Sequence, residues 1–278
     1  MIKKMINKAV PKLYGFYFNT ISIFSKKRGA EKALQVFSFP RKGKVLEFQK
    51  EFLETAHQQK LVTEEGMIQL YYWEGTGKTV FMAHGWESNA WRWKYLIDPL
   101  RELGYSIIAL DAPAHGKSDG TNFTAVKYSR VIRTVVELYQ PEIIIGHSVG
   151  AMASSFQESE TPHVFVEKMV LLGSPNKLEV IMRDYQNLVR FTNSVYLSLD
   201  KLLHSIYGFY IHEFNTEDFI SKIKCPILLV HSKEDRIVPH TSMEQIAANS
   251  SNSTVYFSKT GGHSLHTEEV VEQILSFL

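Results

Sequence analysis

From about residue 60 onward, short runs of apolar and β-branched residues alternate with longer segments of helical periodicity. The apolar runs are mostly continuous, as expected for parallel strands that are covered on both faces. They predict strands at 79–83, 105–110, 142–145, 168–172, 226–231 and 254–257. The alternation predicts βαβ units, and therefore an α/β fold with a mostly parallel, doubly wound sheet.

Two further segments extend this pattern. Residues 124–139 carry apolar and aromatic residues at helical spacing, and Thr124 can serve as the N-cap of the predicted helix. Residues 62–73 show a weaker alternation that ends in Gln-Leu-Tyr-Tyr-Trp. This second segment predicts an antiparallel edge strand or hairpin ahead of the parallel series.

Residues 176–222 interrupt the alternation, because they hold no convincing strand although predicted strands stand on both sides. The segment is rich in aromatic residues, namely Tyr185, Phe191, Tyr196, Tyr207, Phe209, Tyr210, Phe214 and Phe219. A structureless excursion of this length is uncommon in a compact domain, and so many aromatic side chains would not be left in water. We therefore expect an inserted helical cap at about 176–222.

Charge sets the first 60 residues apart from the rest. They contain 13 lysines and arginines against 4 acidic residues, a net charge of +9, whereas the remainder contains 18 against 25, a net charge of −7. Their pattern is mainly helical. We therefore expect a basic, helical N-terminal extension over 1–60 and one α/β domain over 61–278 that includes the cap.

A helix that begins at Pro11 would be amphipathic. Its broad apolar face would consist of Leu13, Phe16, Tyr17, Thr20, Ile21, Ile23 and Phe24. Packing of this face on the neighbouring domain is the simpler explanation, and peripheral contact with a membrane surface, favoured by the lysine-rich flanks, is the alternative. No nucleic-acid-binding motif accompanies the charge, so we expect no nucleic-acid partner.

Composition narrows the class and the compartment. With 44% hydrophobic and 22% charged residues among 278, the chain has the composition of a soluble globular protein and not of a disordered or fibrous one. Its one cysteine, Cys225, excludes an intramolecular disulfide and a cysteine-based metal cluster. The apolar run 13–24 is too short to span a bilayer and is not followed by a small-residue cleavage site. We therefore expect a cytoplasmic protein, of unspecified oligomeric state.

The strongest chemical signal is Gly146-His147-Ser148-Val149-Gly150, a G-x-S-x-G pattern between a predicted strand and a predicted helix. A serine in such a sharp turn has a strained backbone, and its hydroxyl is held above the sheet where a substrate can reach it. The helix behind it would direct the positive end of its dipole at a developing oxyanion. Ser148 is therefore the candidate nucleophile.

A serine nucleophile needs a base, and the base needs an acid that orients it. Asp235 follows the predicted strand 226–231 and His263 follows the strand 254–257, so both lie at the edge where open α/β sheets place their sites. The order Ser, Asp, His is the one that the α/β-hydrolase arrangement requires. Glu234 and His266 are the nearest competitors, and we rank both lower.

Acyl transfer also needs donors for the oxyanion. His84-Gly85-Trp86 ends the predicted strand 79–83, and Gly85 would let the chain bend so that the Trp86 N–H meets the Val149 N–H at one point. We expect the His84 side chain to have a structural role. The segment 111–118 is interpreted as a structural turn near the site.

Taken together, these motifs resemble the α/β-hydrolase superfamily, specifically its serine esterase and lipase-like members, over residues 61–278. The resemblance implies a triad of Ser148, His263 and Asp235, oxyanion donors at Trp86 and Val149, and a cap near 176–222. Serine at position 148 separates the chain from relatives with aspartate there, such as dehalogenases and epoxide hydrolases.

Hydrolysis of a small to medium carboxylic ester through an acyl-enzyme is the leading prediction, with no metal and no cofactor. Thioesterases, acyltransferases and carbon–carbon hydrolases use the same apparatus, and the fold does not choose among them. A protein that keeps the triad but binds a ligand with negligible turnover is the alternative from another class.

Overall fold

The structure, a computed structural model, describes residues 2–278, with side chains from residue 9 onward. It divides the chain into two compact units, each built from two chain segments. The sheet unit consists of Pro40–Asn176 and Thr216–Leu278, and the helical unit consists of Met1–Phe39 and Lys177–Asn215. The side chains of Lys3, Lys4 and Lys8, which belong to the predicted basic flank, lie outside the described residues.

The sheet has eight strands. They are β1 (His57–Thr63), β2 (Gly66–Trp73), β3 (Thr79–Ala83), β4 (Ser106–Leu110), β5 (Ile143–His147), β6 (Lys168–Leu172), β7 (Ile227–Ser232) and β8 (Ser253–Ser258). Their spatial order is β1-β2-β4-β3-β5-β6-β7-β8. β3 to β8 run parallel, while β1 and β2 form an antiparallel hairpin whose second strand also pairs antiparallel with β4. The mostly parallel, doubly wound α/β sheet predicted from the sequence is confirmed.

Eleven α-helices are assigned within residues 2–278. They are α1 (Ile2–Phe24), α2 (Lys26–Phe37), α3 (Glu47–Leu53), α4 (Lys94–Glu102), α5 (Ala125–Tyr139), α6 (Val149–Glu160), α7 (Leu178–Val189), α8 (Asn193–Tyr207), α9 (Thr216–Ile220), α10 (Thr241–Ala248) and α11 (Glu268–Phe277). Among the described residues, no helix is both long enough and apolar enough to cross a membrane. α1, α2, α7 and α8 belong to the helical unit, and the others belong to the sheet unit.

The core of the sheet unit lies on both faces of the sheet. On β3, Phe81 belongs to one buried cluster while its neighbours Val80 and Met82 belong to another. Successive strand residues point to opposite faces, so the two clusters cover the two sides. Burial on both sides explains why these strands appear in the sequence as continuous apolar runs.

The helical unit has a core of its own, which its two chain segments share. The buried members are Phe18, Ala30, Ala33, Met182, Val189, Phe191, Val195, Tyr196, Leu199, Leu203 and Ile211. The structure thus groups the first 39 residues with the insertion, whereas the predicted division was an extension over 1–60 and a domain over 61–278. Residues 40–60 join the sheet unit because they contain α3, whose Leu53 is fully buried, and the first half of β1.

Helix α1 differs from its prediction in two respects. It begins at Ile2, so Pro11 lies inside the helix and does not start it. The residues that pack are Phe18, Gly15 and Ser22, while the predicted apolar face is largely exposed. The spacing of residues separated the apolar face of α1 from its opposite face correctly. The expectation that the apolar face packs was wrong, because the opposite face is the buried one.

The turn from β5 into α6 requires glycine for a reason of space. A Cβ at position 146 would lie 2.6 Å from the Ala151 Cα, and one at position 150 would collide with the Ala83 carbonyl oxygen on β3. Neither glycine has a positive φ, whereas Ser148 between them does. The glycines of the motif therefore permit close backbone approach, and the strained conformation falls on the serine itself.

We expect Gly150→Ala to destabilise the fold, because the added methyl group meets backbone atoms that cannot move away independently. Overpacking of this kind costs about 1–3 kcal/mol or more. Urea unfolding followed by tryptophan fluorescence would measure the loss. Glu160→Ala, an exposed change in the same helix, is the matched control and should alter stability by no more than ~0.5 kcal/mol. Equal stability of the two variants would contradict this account of the turn.

Candidate active site

Ser148 occupies the turn between β5 and α6 with φ 54° and ψ −124°. A non-glycine residue in this region stores strain, which persists only when the surrounding structure enforces it. The Ser148 N–H donates to the Leu172 carbonyl on β6 at 2.8 Å, and the α6 N–H groups of Ala151 and Met152 donate to its own carbonyl. These bonds hold the backbone while the side chain points away from them.

His263 lies in the loop after β8 and faces this hydroxyl. Its Nε2 is 3.0 Å from the Ser148 Oγ, and its Nδ1 is 2.7 Å from the Asp235 Oδ2. The carboxylate can only accept, so Nδ1 carries the proton and Nε2 is left to accept from the serine hydroxyl. The imidazole is therefore in the tautomer that a general base needs.

Asp235 is fully buried at its side chain and sits in the turn after β7. Its Oδ1 accepts the backbone N–H groups of Ile237 and Val238 at 2.8 and 2.9 Å. Burial by itself would raise the pKa of this carboxyl, but the hydrogen bonds from His231, His263 and these two amides outweigh it and hold the pKa well below its ordinary value. The carboxylate is thus charged at neutral pH.

The structure therefore brings together the three side chains selected from the sequence, each from a loop at the carboxyl end of a different strand. The hydrogen bonds select Asp235 over its neighbour Glu234. They also select His263 over His266, whose ring stacks on Tyr95 at 4.1 Å between centroids.

Two histidines that sequence reasoning missed support this chain of bonds. His231, buried at the end of β7, places its Nε2 at 2.9 Å from the Val238 carbonyl and 3.3 Å from the Asp235 Oδ2. Both partners are acceptors, so Nε2 carries the proton and braces the carboxylate. The pattern of apolar residues does not predict this role of His231. The one sequence feature that relates to it is the position of His231 four residues before Asp235.

The second missed residue is His147, directly before the serine. Its Nε2 donates to the His263 backbone carbonyl at 2.8 Å. Burial, followed by electrostatic interactions with Arg92 and His263, lowers the pKa of His147 well below its ordinary value, so the His147 ring is neutral. It fixes the backbone that carries the base without adding a charge.

The loop after β3 passes directly against the serine. A Cβ at position 85 would lie 2.8 Å from the Ser148 Cβ, so only glycine fits at this point of contact. His84 accepts the Ala112 N–H at Nε2 (2.9 Å), and its Nδ1 therefore donates to the Gly85 carbonyl (2.7 Å). Burial lowers the pKa of His84 and keeps the ring neutral.

The orientation of the Gly85 carbonyl also sets that of the Trp86 N–H, because the two groups belong to one trans peptide and point in opposite directions. Val149 is the first residue of α6, where a backbone N–H has no acceptor inside its own helix. Both N–H groups thus belong to backbone next to Ser148.

The segment 111–118 supports this loop from behind. The Asp111 carboxylate accepts from the Ala90 and Lys117 N–H groups and from the Tyr71 hydroxyl. His115 accepts the Glu87 N–H at 2.9 Å. These are structural bonds, so the segment holds the Trp86 loop in place and contributes no side chain to the Ser148, His263 and Asp235 chain.

Among the described residues, no group of three histidine, cysteine, aspartate or glutamate side chains is arranged to hold a metal ion. The side chains of Ser148, His263 and Asp235 are joined to one another by the hydrogen bonds given above.

The chain is similar in sequence and in fold to several known hydrolases. The uncharacterized hydrolase YugF of Bacillus subtilis is 25% identical over 263 residues, which span 76% of this chain and 94% of that protein. The 2-hydroxy-6-oxo-6-(2'-aminophenyl)hexa-2,4-dienoic acid hydrolase of Metapseudomonas resinovorans is 23% identical over 81% of this chain and 92% of its own length. A solved esterase of Pyrococcus furiosus has the same fold, with a TM-score of 0.65 at 20% identity over 87% of this chain and 96% of that one.

A family model described as the alpha/beta hydrolase family matches residues 80–274, which is more than half of the chain and includes Ser148, Asp235 and His263. Strands β4 to β8, the turn after β5 and the loops that follow β7 and β8 all fall inside this match. The chain belongs to the α/β-hydrolase family.

Proposed function

We propose that this protein is a serine hydrolase that cleaves a small to medium carboxylic ester through an acyl-enzyme. The observation that carries the proposal is the unbroken chain of hydrogen bonds from the Ser148 hydroxyl through His263 to Asp235, anchored on a strained turn. Serine is a weak nucleophile alone, and this arrangement supplies the base that it requires.

In the proposed reaction the Ser148 Oγ attacks the ester carbonyl carbon while its proton passes to the His263 Nε2. The carbonyl electron pair moves onto oxygen and gives a tetrahedral oxyanion. Collapse of this species breaks the bond to the alcohol, which leaves with the proton from His263, and Ser148 stays acylated. Water then repeats the sequence, with His263 again as base, and releases the acid.

Throughout these steps Asp235 stabilises the imidazolium that forms at His263. Its depressed pKa supports this role, because a charged carboxylate is needed at neutral pH. His231 and the Ile237 and Val238 amides hold the carboxylate oriented at the Nδ1 side of the ring.

The Trp86 and Val149 N–H groups are the proposed donors to the oxyanion. Support comes from the contact between Gly85 and Ser148, and from the bond that directs the Gly85 carbonyl toward His84. A preorganised backbone donor is worth about 10²–10³ in kcat. His84 is thus proposed as a positioning residue that acts through the Gly85–Trp86 peptide.

An ester substrate is favoured by the serine nucleophile and by the esterase of the same fold. The aromatic-rich insertion that was predicted as a helical cap follows β6, which lies next to β5 in the sheet. There the Thr216 N–H donates to the Asn176 carbonyl and its hydroxyl to the Pro175 carbonyl, so both stems are fixed together. Carbon–carbon hydrolysis is the second candidate, because the Metapseudomonas relative is named for such a substrate.

We also propose a cytoplasmic location. The support is the single cysteine, Cys225, since a reducing compartment suits a chain of this size that is built without disulfides. Cell fractionation with an antibody against the chain would test it.

We expect Ser148→Ala and His263→Ala each to lower kcat by ~10⁴ or more, and Asp235→Asn to be somewhat less damaging, because triad members act as a unit. A fluorophosphonate probe should label the wild type and not Ser148→Ala. Glu234→Gln and His266→Asn are the neighbouring controls and should stay near wild type. Equal labelling of Ser148→Ala would overturn the assignment, and labelling without turnover of any substrate would favour the ligand-binding alternative.

Two replacements of His84 separate its positioning role from its packing. His84→Asn retains a donor where Nδ1 stands, and His84→Gln retains an acceptor where Nε2 stands but leaves the Gly85 carbonyl without its bond. We expect His84→Gln to lose about 10²–10³ in kcat with little change in KM, and His84→Asn to keep markedly more. Melting temperatures would correct for stability. An equal loss of kcat in both variants would reduce His84 to a packing residue.

Substrate length is tested by kcat/KM for nitrophenyl esters of increasing acyl length, with Ser148→Ala as the background. We expect a maximum at short or medium chains, since a concave, mostly apolar site of limited volume accepts only a compact acyl group. A rate that climbs steadily to the longest chains would contradict it. Turnover of a 2-hydroxy-6-oxo-dienoate well above that of every ester would favour the second candidate.

A further inference from the structure

Helix α1 of the helical unit exposes its apolar side. The exposed members of this face are Leu13, Phe16, Tyr17, Thr20, Ile23 and Phe24. Phe16, Ile23 and Phe24 are 73%, 79% and 86% exposed, whereas Phe18 on the other side is fully buried. Single exposed apolar residues are ordinary, but a continuous stripe of large ones along one helix marks an interaction surface.

The opposite side of α1 is the one that packs, and it is small or polar apart from Phe18. Residues at positions 11, 15, 18 and 22 recur every three or four positions and are buried or half-buried. Gly15 lets the helix approach the Val189 carbonyl at the end of α7. The side chain of Asn19 accepts the Thr192 N–H at 2.8 Å and donates to the Arg190 carbonyl.

These bonds fix the rotation of α1 about its own axis. Turning the apolar stripe inward would break both contacts of Asn19 and replace Gly15 by a bulky residue at the Val189 carbonyl. The exposure of the stripe is therefore built into the helical unit.

The basic residues beside the exposed apolar face of α1 indicate what kind of surface covers this apolar stripe. Lys12 stands beside it on α1, and Lys26, Lys27 and Arg28 follow directly in the next helix; all four are exposed. The first 39 residues hold eight basic residues and one acidic residue, Glu31. An apolar helix face with cationic side chains at its border is complementary to the interface of an anionic bilayer, where apolar groups enter the acyl boundary and cations meet phosphate. A second copy of the chain would bring the same positive charge against itself.

We propose that α1 lies flat on anionic phospholipid membranes, with the stripe from Leu13 to Phe24 inserted at the level of the headgroups and the basic residues 26–28 in contact with phosphate. This makes the protein a peripheral membrane protein through its helical unit. The proposal does not depend on the reaction at Ser148.

The test is sedimentation of the full chain with sucrose-loaded vesicles, either of phosphatidylcholine alone or of phosphatidylcholine with phosphatidylserine. We expect binding to the mixed vesicles, at least ~10-fold weaker binding to neutral ones, and further weakening at high salt, since screened charges attract less. Ser148→Ala should bind as the wild type does, which separates docking from recognition of lipid as a substrate.

Phe16→Asp with Ile23→Asp should lower binding to the mixed vesicles at least ~10-fold, because two exposed apolar side chains lose their insertion. The matched control is Leu138→Asp with Val164→Asp, two exposed apolar positions of the sheet unit, which should leave binding unchanged. Circular dichroism verifies that both variants are folded.

Three outcomes would overturn the proposal. They are the absence of binding to either vesicle, equal binding of the Phe16/Ile23 variant and its control, and self-association of the wild type that this variant abolishes without any vesicle binding. The last outcome would assign the stripe to a second copy of the chain.

Discussion

The backbone conformation of Ser148 is the constraint on which the site depends. With φ at 54°, the residue turns the chain from β5 into α6 so abruptly that its side chain is left clear of both elements. The strain persists because the surrounding structure enforces this conformation. The Leu172 carbonyl accepts the Ser148 N–H, and the backbone at Gly150 packs closely against Ala83. On the other side, Gly85 packs against Ser148 itself. A turn that its surroundings enforce in this way is suited to electrostatic preorganisation, which requires groups to be in position before the reaction.

Around this turn, neutral histidines hold backbone groups in place. Burial lowers the pKa of His84, His147 and His115, so each ring forms its hydrogen bonds as an uncharged group. Their bonds fix the Gly85 carbonyl, the His263 carbonyl and the Glu87 amide. The Asp235 carboxylate has its own two imidazole partners, His263 and His231, so the three neutral rings position backbone groups only.

The parallel strands and the proximity of Ser148, Asp235 and His263 could be predicted from the sequence, for a definable reason. A strand buried on both faces is a continuous apolar run, and parallel strands end at one edge, so residues such as Asp235 and His263 that follow successive strands must come near each other. The roles of His231 and His147 could not be predicted from the sequence. His231 bonds to Asp235 and His147 bonds to the His263 carbonyl, and such tertiary contacts produce no periodic pattern in the sequence.

Which face of α1 is buried could not be predicted from the sequence for a related reason. The buried face also explains how the core of the helical unit is formed. Periodicity divides a helix into faces but does not state which face is inward; here two hydrogen bonds of Asn19 and the absence of a side chain at Gly15 decide it. The insertion alone, Lys177–Asn215, is too short to bury its own aromatic residues, since chains of about 40 residues rarely support a core. It shares its core with α1 and α2 instead, and Phe18 and Ala33 are buried among its side chains. The first helix therefore serves the fold with its small and polar side, which is the physical reason that its apolar side remains available at the surface.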